Sequence, residues 1–199
     1  MFVQREASEP ISSASGRVRI ISGRWRRRRL RVPDVEGLRP TPDRVRETLF
    51  NWLSGVVEGA RCLDLYAGSG ALGFEAASRG AGKVLLVESD AAAVACMRDA
   101  ARELGAEEVQ IVHADVRRWL RGSAAAFDIV FVDPPYGSED LADLCTLLEQ
   151  GGWLAPGALV YIETRASGES VRLPPGWQIL RRQKAGQVRY HLAAAGSAA

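Results

Sequence analysis

Arg61-Cys62-Leu63-Asp64-Leu65-Tyr66-Ala67-Gly68-Ser69-Gly70-Ala71-Leu72-Gly73 reads as a short apolar strand that empties into a glycine-rich turn and then a helix of small residues. Glycines at 68 and 70 let the backbone turn sharply and approach a ligand. The helix that follows presents N–H groups and a positive dipole end. This is a nucleotide-binding turn, and it makes 61–65 the first central strand of an α/β domain. Gly68, Gly70 and Gly73 satisfy G-x-G-x-x-G, and Glu88 lies 20 positions after Gly68, as a dinucleotide site expects. A nicotinamide or flavin cofactor is therefore open on this stretch alone. Against it stands Asp64, four residues before the first glycine, where such strands carry an apolar residue. A carboxylate there asks for a cation.

Outward from this stretch the chain keeps alternating. The pattern predicts a helix over 71–78 stopped by Arg79-Gly80, a strand over 83–88, a helix over 91–104 and a strand over 109–113. A strand over 127–132, a helix over 139–150 and a strand over 158–163 follow. Apolar strands separated by helices imply a mostly parallel sheet covered on both faces, with the ligand at the strands' carboxyl ends. Asp64, Glu88, Asp115 and Asp133 fall at or near such ends, so four strand readings converge on one crevice. Helix capping accounts for one or two of these acids more readily than for all four. Segments 176–184 and 187–193 read as two strands around Ala185-Gly186, an antiparallel hairpin that gives the sheet a reversed edge strand. Upstream, 44–57 carries Val45, Leu49, Trp52, Leu53 and Val56 at helical spacing, with Thr41 as its expected N-cap and Pro42 at the first helical position.

The second informative stretch is Asp133-Pro134-Pro135-Tyr136, at the end of Phe127-Asp128-Ile129-Val130-Phe131-Val132. Two prolines fix two φ angles and donate no N–H, so the loop is stiff and rich in acceptors. Asp133 adds a carboxylate acceptor, and Tyr136 a flat ring on which a planar heterocycle can stack. Together they suit an aromatic amine. As a plain proline turn, Asp133 would cap a helix and Tyr136 would pack in the core. The glycine turn shifts the balance toward a site.

Composition allows one main domain: 199 residues, 47% hydrophobic, bury a core without metals or disulfides. Cys62, Cys96 and Cys145 have no C-x-x-C spacing and read as reduced core residues, while His113 and His191 lack partners at metal-ligand spacing. No apolar run suits a bilayer and no leader pattern opens the chain, so a soluble cytoplasmic protein is expected. Residues 1–16 and 194–199 are expected to be disordered tails.

The net charge of +2 conceals an asymmetry: residues 1–46 carry +7 and residues 47–199 carry −5. Segment 17–33 alternates enough for a β-hairpin turning near Ser22-Gly23. A charge run is most often a solvated face. Here Trp25 sits inside the cluster, and arginine and tryptophan both stack on bases, so Arg24, Trp25, Arg26, Arg27, Arg28 and Arg29 are expected to contact nucleic acid. Only two lysines occur in the chain, so the position of the charge carries more weight than the preference for arginine.

The spacing from Asp64 to the glycines resembles the first motif of class I methyltransferases. Joined to Asp133-Pro134-Pro135-Tyr136, it looks like the subgroup that methylates exocyclic amines of nucleobases. With segments 17–25, 37–53, 67–73, 131–136 and 185–188, the chain resembles the RsmD family, from about residue 17 to 192. The resemblance implies a Rossmann-like, mostly parallel sheet with a reversed edge strand, helices on both faces and an N-terminal β-hairpin extension. It divides the chain into an RNA-contacting extension at 17–40 and a methyltransferase domain at 41–193. It implies S-adenosylmethionine as donor and the N2 amine of a guanine in 16S ribosomal RNA, or an assembling small-subunit particle, as acceptor.

By the same resemblance, Asp133, Pro134, Pro135 and Tyr136 are catalytic. Asp64, Ala67, Gly68, Ser69, Gly70 and Gly73 seat the methionine end of the cofactor, Glu88 its ribose, and Asp115 with Val116 its adenine. Arg39 and Arg44 lie toward the RNA, near the crevice mouth with Thr41, and a monomer is expected. The run Arg26–Arg29 is more uniformly charged than the family pattern. Three other readings stay open: an adenine-N6 DNA methyltransferase, a dinucleotide-dependent oxidoreductase, and a noncatalytic RNA-binding assembly module.

Overall fold

The computed structural model describes residues 16–35, 40–135, 141–167 and 171–196. The strand quoted above, β3 (Arg61–Leu65), lies inside a seven-stranded sheet. On one side it meets β4 (Lys83–Glu88) and then β5 (Val109–His113). On the other come β6 (Phe127–Val132), β7 (Leu154–Arg165), β9 (Val188–Ala194) and finally β8 (Gln178–Ala185). Strands β5 through β7 pair in parallel, and β9 runs antiparallel to both β7 and β8. The reversed strand is thus β9, with β8 outside it. The order reverses between β3 and β6, which sets the ligand crevice beyond their carboxyl ends.

Period-two alternation divides the core. Cys62, Val84, Leu86, Ile129, Phe131 and Tyr161 face α1 (Asp43–Trp52), α2 (Ala71–Ser78) and α3 (Ala91–Leu104). Leu63, Leu65, Val87, Val130, Val132 and Ile162 face α4 (Val116–Leu120) and α5 (Leu141–Gln150). Buried on both faces, these strands read as continuous apolar runs. Burial pushes the Cys62 and Cys145 thiols up to about 12, so they act as inert core groups. No helix among the described residues is long and apolar enough to cross a membrane.

Three expectations change. Helix α1 ends at Trp52 rather than 57, and its N-cap residue is Pro42, with no side-chain cap. Thr41 is therefore not a cap; it is buried for another reason, given below. Helix α4 was not anticipated, because five residues are too few to show a period.

The extension forms a separate antiparallel pair, β1 (Arg17–Arg19) with β2 (Arg29–Arg31). Its turn is longer than Ser22-Gly23: the Ile20 N–H donates to the Arg28 carbonyl and the Arg27 N–H to the Ile20 carbonyl, at 2.8 and 2.9 Å. Val18, Ile20, Trp25, Leu30 and Val32 join the same core as α1, α2 and α3. Glu75, fully buried on α2, fixes the dock. It accepts the Ile21 and Ser22 N–H groups at 2.7 and 3.1 Å and pairs with Arg79 at 2.7 Å and Arg46 at 3.5 Å. Gly23, at φ +80°, presses on the end of α2, where any Cβ would lie 1.8 Å from the Ser78 carbonyl oxygen. Glu75→Ala leaves the Ile21 and Ser22 N–H groups without their acceptor and removes one of the two carboxylates of the buried Arg46, which keeps Asp43 at 2.6 Å. It should lower stability by about 2–4 kcal/mol, read from urea unfolding.

Candidate active site

The glycine turn is strained where it leaves β3. Tyr66 adopts φ +60°, which costs a side-chain-bearing residue about 1–2 kcal/mol. Gly68 and Gly70 follow at φ 55° and 74°. Ala67 braces the turn by donating to the Val87 carbonyl at 3.1 Å and accepting from the Gly70 N–H at 2.7 Å. A Cβ on Gly70 would press on the Phe74 ring at 2.8 Å. Ser69 is buried between the two glycines. Gly73 has a packing role as well: a Cβ there would lie 2.1 Å from Leu86 Cδ2 and 3.2 Å from Asp64 Oδ2, so it lets α2 pack closely on the sheet beside Asp64.

Asp64 is 2% exposed, and its Oδ2 accepts the Gly73 N–H at 2.9 Å. Burial pushes its carboxyl up to about 7, the Glu88 charge adds to the rise, and the Gly73 N–H opposes it. Glu88, at the end of β4, accepts the Gly68 N–H at 2.8 Å through Oε2, and the Ser89 and Asp90 N–H groups at 2.8 Å each through Oε1. It ties β4 to the glycine turn. That bond also removes the Gly68 donor a pyrophosphate would need, which weakens the dinucleotide reading.

The strand-end reading holds less well at β5. Asp115 is exposed and accepts the Arg118 N–H at 2.8 Å, which makes it the N-cap of α4. The Val116 side chain is 2% exposed and packs in the core, not toward a ligand.

Across the switch point, Leu65 pairs with Val132 and Val132 with Ile162. The next residues, Tyr66, Asp133 and Glu163, therefore stand side by side at the carboxyl ends of β3, β6 and β7. Asp133 is partly buried, and its carboxyl is raised well above its usual range by burial, then by Glu163 and Asp64, with a Thr41 hydrogen bond opposing. Asp64 and Asp133 thus lie on the same side of the switch point, near enough for the charge of one to raise the other. Pro134 is buried and Pro135 exposed, while Tyr136 lies outside the described residues.

One residue was missed. Glu163, 4% exposed, accepts the Tyr161 hydroxyl at 2.7 Å and also bonds Thr41; burial raises its carboxyl above the usual range. An acid ending an apolar strand was the available signal, the same one used for the other four. Thr41, read both as a helix cap and as a residue near the crevice mouth, is buried and caps no helix.

The basic extension divides. Trp25 is not a base-stacking platform: it is 7% exposed and meets the Phe74 ring at 6.4 Å and 65°. Arg24 is exposed but engaged within the fold, its guanidinium 4.1 Å above the Trp25 ring and paired with Glu108. Arg26, Arg27, Arg28, Arg29 and Arg44 are exposed; Arg39 lies outside the described residues. The Arg24 N–H donates to the Ser78 carbonyl at the end of α2, and α2 begins at the glycine turn. Eight helical residues span about 12 Å, so the closed end of the hairpin sits roughly that far from the crevice.

The family model described as "Conserved hypothetical protein 95" matches residues 18–194. The chain is 46% identical over 184 residues to ribosomal RNA small subunit methyltransferase D of Escherichia coli (strain K12), covering 92% of this chain and 93% of that one. The protein of the same name from Haemophilus influenzae is 40% identical, covering 90% and 95%. Among solved structures, a putative methyltransferase, yhhF, from Escherichia coli superposes with TM-score 0.86 at 42% identity, covering 91% of this chain and 99% of that one. A sheet of this order with β9 reversed, a carboxylate before the glycine turn, and close relatives over nearly the whole length together make this chain a member of the RsmD family of methyltransferases.

Proposed function

We propose that this protein transfers a methyl group from S-adenosylmethionine to the exocyclic N2 amine of a guanine in small-subunit (16S) ribosomal RNA during subunit assembly. The observation that carries the reading is that Asp64, one residue before the end of β3, and Asp133, just past the end of the adjacent strand β6, lie near enough for the Asp64 charge to raise the Asp133 carboxyl. The relatives named ribosomal RNA small subunit methyltransferase D support the RNA class. The guanine amine rests on the resemblance carried by Asp133-Pro134-Pro135-Tyr136. The working form is a monomer in the cytoplasm, with an RNA-contacting extension at 17–40 and a methyltransferase unit at 41–193.

The crevice suits this cofactor chemically. Its acids, Asp64, Glu88 and Asp133, favour a cationic ligand, and none of them enters an ion pair among the described residues. When bound, S-adenosylmethionine supplies an electrophilic methyl on a sulfonium. Asp64 and the 67–70 turn would hold its methionine end, and Glu88 has acceptor capacity left for ribose hydroxyls beyond its three N–H partners. Asp115 keeps a second carboxylate oxygen for the adenine amine.

Guanine N2 is a weak nucleophile because its lone pair is delocalised into the ring. Asp133 and the Pro134 carbonyl accept its two hydrogens, which favours a pyramidal nitrogen with its lone pair aimed at the methyl. Tyr136 stacks on the base. Transfer of the methyl to this nitrogen would leave S-adenosylhomocysteine and a cationic amine, a strong acid whose extra proton would pass to water.

The test is transfer of tritiated methyl to 16S ribosomal RNA, free and in small-subunit particles, with duplex DNA as comparison. Nucleoside digestion should then yield N2-methylguanosine. Label in adenine or in DNA alone would replace this reading.

Arg26, Arg27, Arg28 and Arg29 are positioned to hold RNA phosphates away from the target base. Changing all four to serine should weaken RNA binding and lower the slope of log affinity against log salt by up to about 3, at roughly 0.7–0.9 per phosphate contact. An unchanged slope would remove the hairpin from the RNA interface.

A further inference from the structure

The basic extension is not the chain's only cationic element. Residues 170–199 hold five basic side chains and no acidic one, a charge of +5, while residues 47–169 hold nine basic against nineteen acidic, a charge of −10. Positive charge therefore sits at both ends of the chain, around an acidic middle. Arg181, Arg182, Lys184 and Arg189 of the second cluster lie on the β8–β9 hairpin, at the edge of the sheet where β8 pairs with β9 alone.

We propose that the edge strand β8, through Arg181, Arg182 and Lys184, is a second RNA-binding surface that grips the phosphate backbone of the substrate on the opposite side of the crevice from the N-terminal extension. The inference rests on the RNA-methylation reading above and names the surface that holds that RNA beyond β7.

Register places these cations. Val132, at the end of β6, pairs with Ile162, Ile162 with His191, and His191 with Arg182, so Arg182 stands level with the strand ends below the crevice. Lys184 pairs with Arg189 and Arg189 with Thr164, one residue past Glu163, so these two cations stand a step higher. Three strand spacings separate β8 from β6, which puts its charges roughly 14 Å from Asp133.

Cross-strand partners share a side of the sheet, as do alternate residues of one strand. Arg182, Lys184 and Arg189 therefore line one face together, the face of Ile162, and Arg181 takes the other. His191 lies among them, 3% exposed, with no hydrogen-bond partner at either ring nitrogen. Burial, then the charges of Arg182 and Arg189, lower its pKa, so both cations reach the same imidazole.

The row is open and unneutralised. Every residue from Gln178 to Lys184 is exposed, and Arg181, Arg182 and Lys184 enter no ion pair among the described residues. Such cations are the groups that displace condensed counterions from a phosphate backbone. Beside them Ile179 and Leu180 are 44% and 42% exposed, and the register shift between Ile179 and Arg181 leaves Leu180 out of the ladder. These aliphatic side chains can meet sugars and unstacked bases.

The two basic elements flank the crevice. The extension packs with α2 and α3 and pairs with Glu108 just before β5, whereas β8 forms the far edge beyond β7. An RNA held at both crosses the carboxyl ends of β3 and β6, where the target base meets Asp133. Cations on an edge strand also discourage pairing with other chains, a role that needs no RNA. Salt dependence separates the two roles.

The test is equilibrium binding of 16S ribosomal RNA over a salt series. Changing Arg181, Arg182 and Lys184 together to serine should weaken binding about tenfold or more and lower the slope of log affinity against log salt by about 2, at roughly 0.7–0.9 per phosphate contact. Changing Arg181 and Arg182 to lysine keeps the charge and should keep the slope. In turnover the serine variant should raise KM for RNA about tenfold, with kcat at saturating RNA and S-adenosylmethionine affinity held within a few-fold. An unchanged slope in the serine variant, or an equal loss in the lysine variant, would overturn the proposal and leave β8 as a guarded edge only. The binding arm needs no methyl transfer. A wrong acceptor atom would appear as label in another nucleoside while the slope difference remained, so the two failures are distinguishable.

Discussion

Replacing Asp133 by alanine should reduce single-turnover methyl transfer by about a thousandfold, the upper range for losing one preorganised polar group, while S-adenosylmethionine affinity stays within a few-fold. The reasoning is geometric. Asp133 stands just past the end of β6, at the register of Tyr66 and outside the 67–70 segment whose backbone is assigned to the cofactor. The loss should therefore fall on the chemical step and not on cofactor binding. Calorimetry with the cofactor and rapid-quench transfer to RNA separate the two. A variant that still methylates at the wild-type rate would discredit Asp133 as the acceptor of the amine hydrogens. Asp133→Asn should lie between, because it keeps one acceptor oxygen and removes the charge.

Asp64→Asn should produce two opposite effects. In the folded protein the Asp64 carboxyl lies at about 7, against 3.8 for the ordinary group. Its folded value is raised, so its favourable contribution is full below the unfolded range and disappears as pH rises through the folded value. Stability should thus decline from about pH 4 to pH 7, by at most about 4 kcal/mol, because each pH unit between the two values is worth about 1.4 kcal/mol. Asparagine abolishes that decline and can still accept the Gly73 N–H, so the variant should be the more stable protein above neutrality. Cofactor affinity runs the other way. An ionised Asp64 attracts the cationic methionine end, so wild-type affinity should rise almost tenfold per pH unit below 7 and then level off, with proton release on binding. The variant should bind weakly and show no such rise. Urea unfolding and calorimetry between about pH 5 and pH 8 read both arms. A wild type whose stability is flat across that window would contradict a buried, raised Asp64.

Much of this architecture was legible because its signals are local. The strands at 61–65, 83–88, 109–113 and 127–132 and the helices at 71–78 and 91–104 appear within the limits expected. The strands are short apolar runs, α2 opens on the glycine turn, and α3 carries a helical period behind the capping Asp90. Trp25, Thr41 and Glu163 resisted for a shared reason: their roles depend on partners far along the chain, Ser78 for the first and Asp133 for the other two. A tryptophan among arginines looks like a stacking platform until Phe74 is seen beneath it. A threonine before a proline looks like a cap until two buried carboxyls are seen beside it. Asp115 shows the converse. It sits at a strand end as expected, but its carboxylate caps a helix too short for periodicity to reveal.

The place of β9 has a bearing on biosynthesis. Chain emerges from the ribosome in order, yet β9 slots between β7 and β8, which are both made before it. Until its residues are released, β7 keeps an unzipped edge opposite the very stretch, Tyr161 to Arg165, that carries Glu163. The edge of β7 that carries Glu163 is therefore closed after every other strand of the sheet has been made, so this side of the sheet is the last to be fixed.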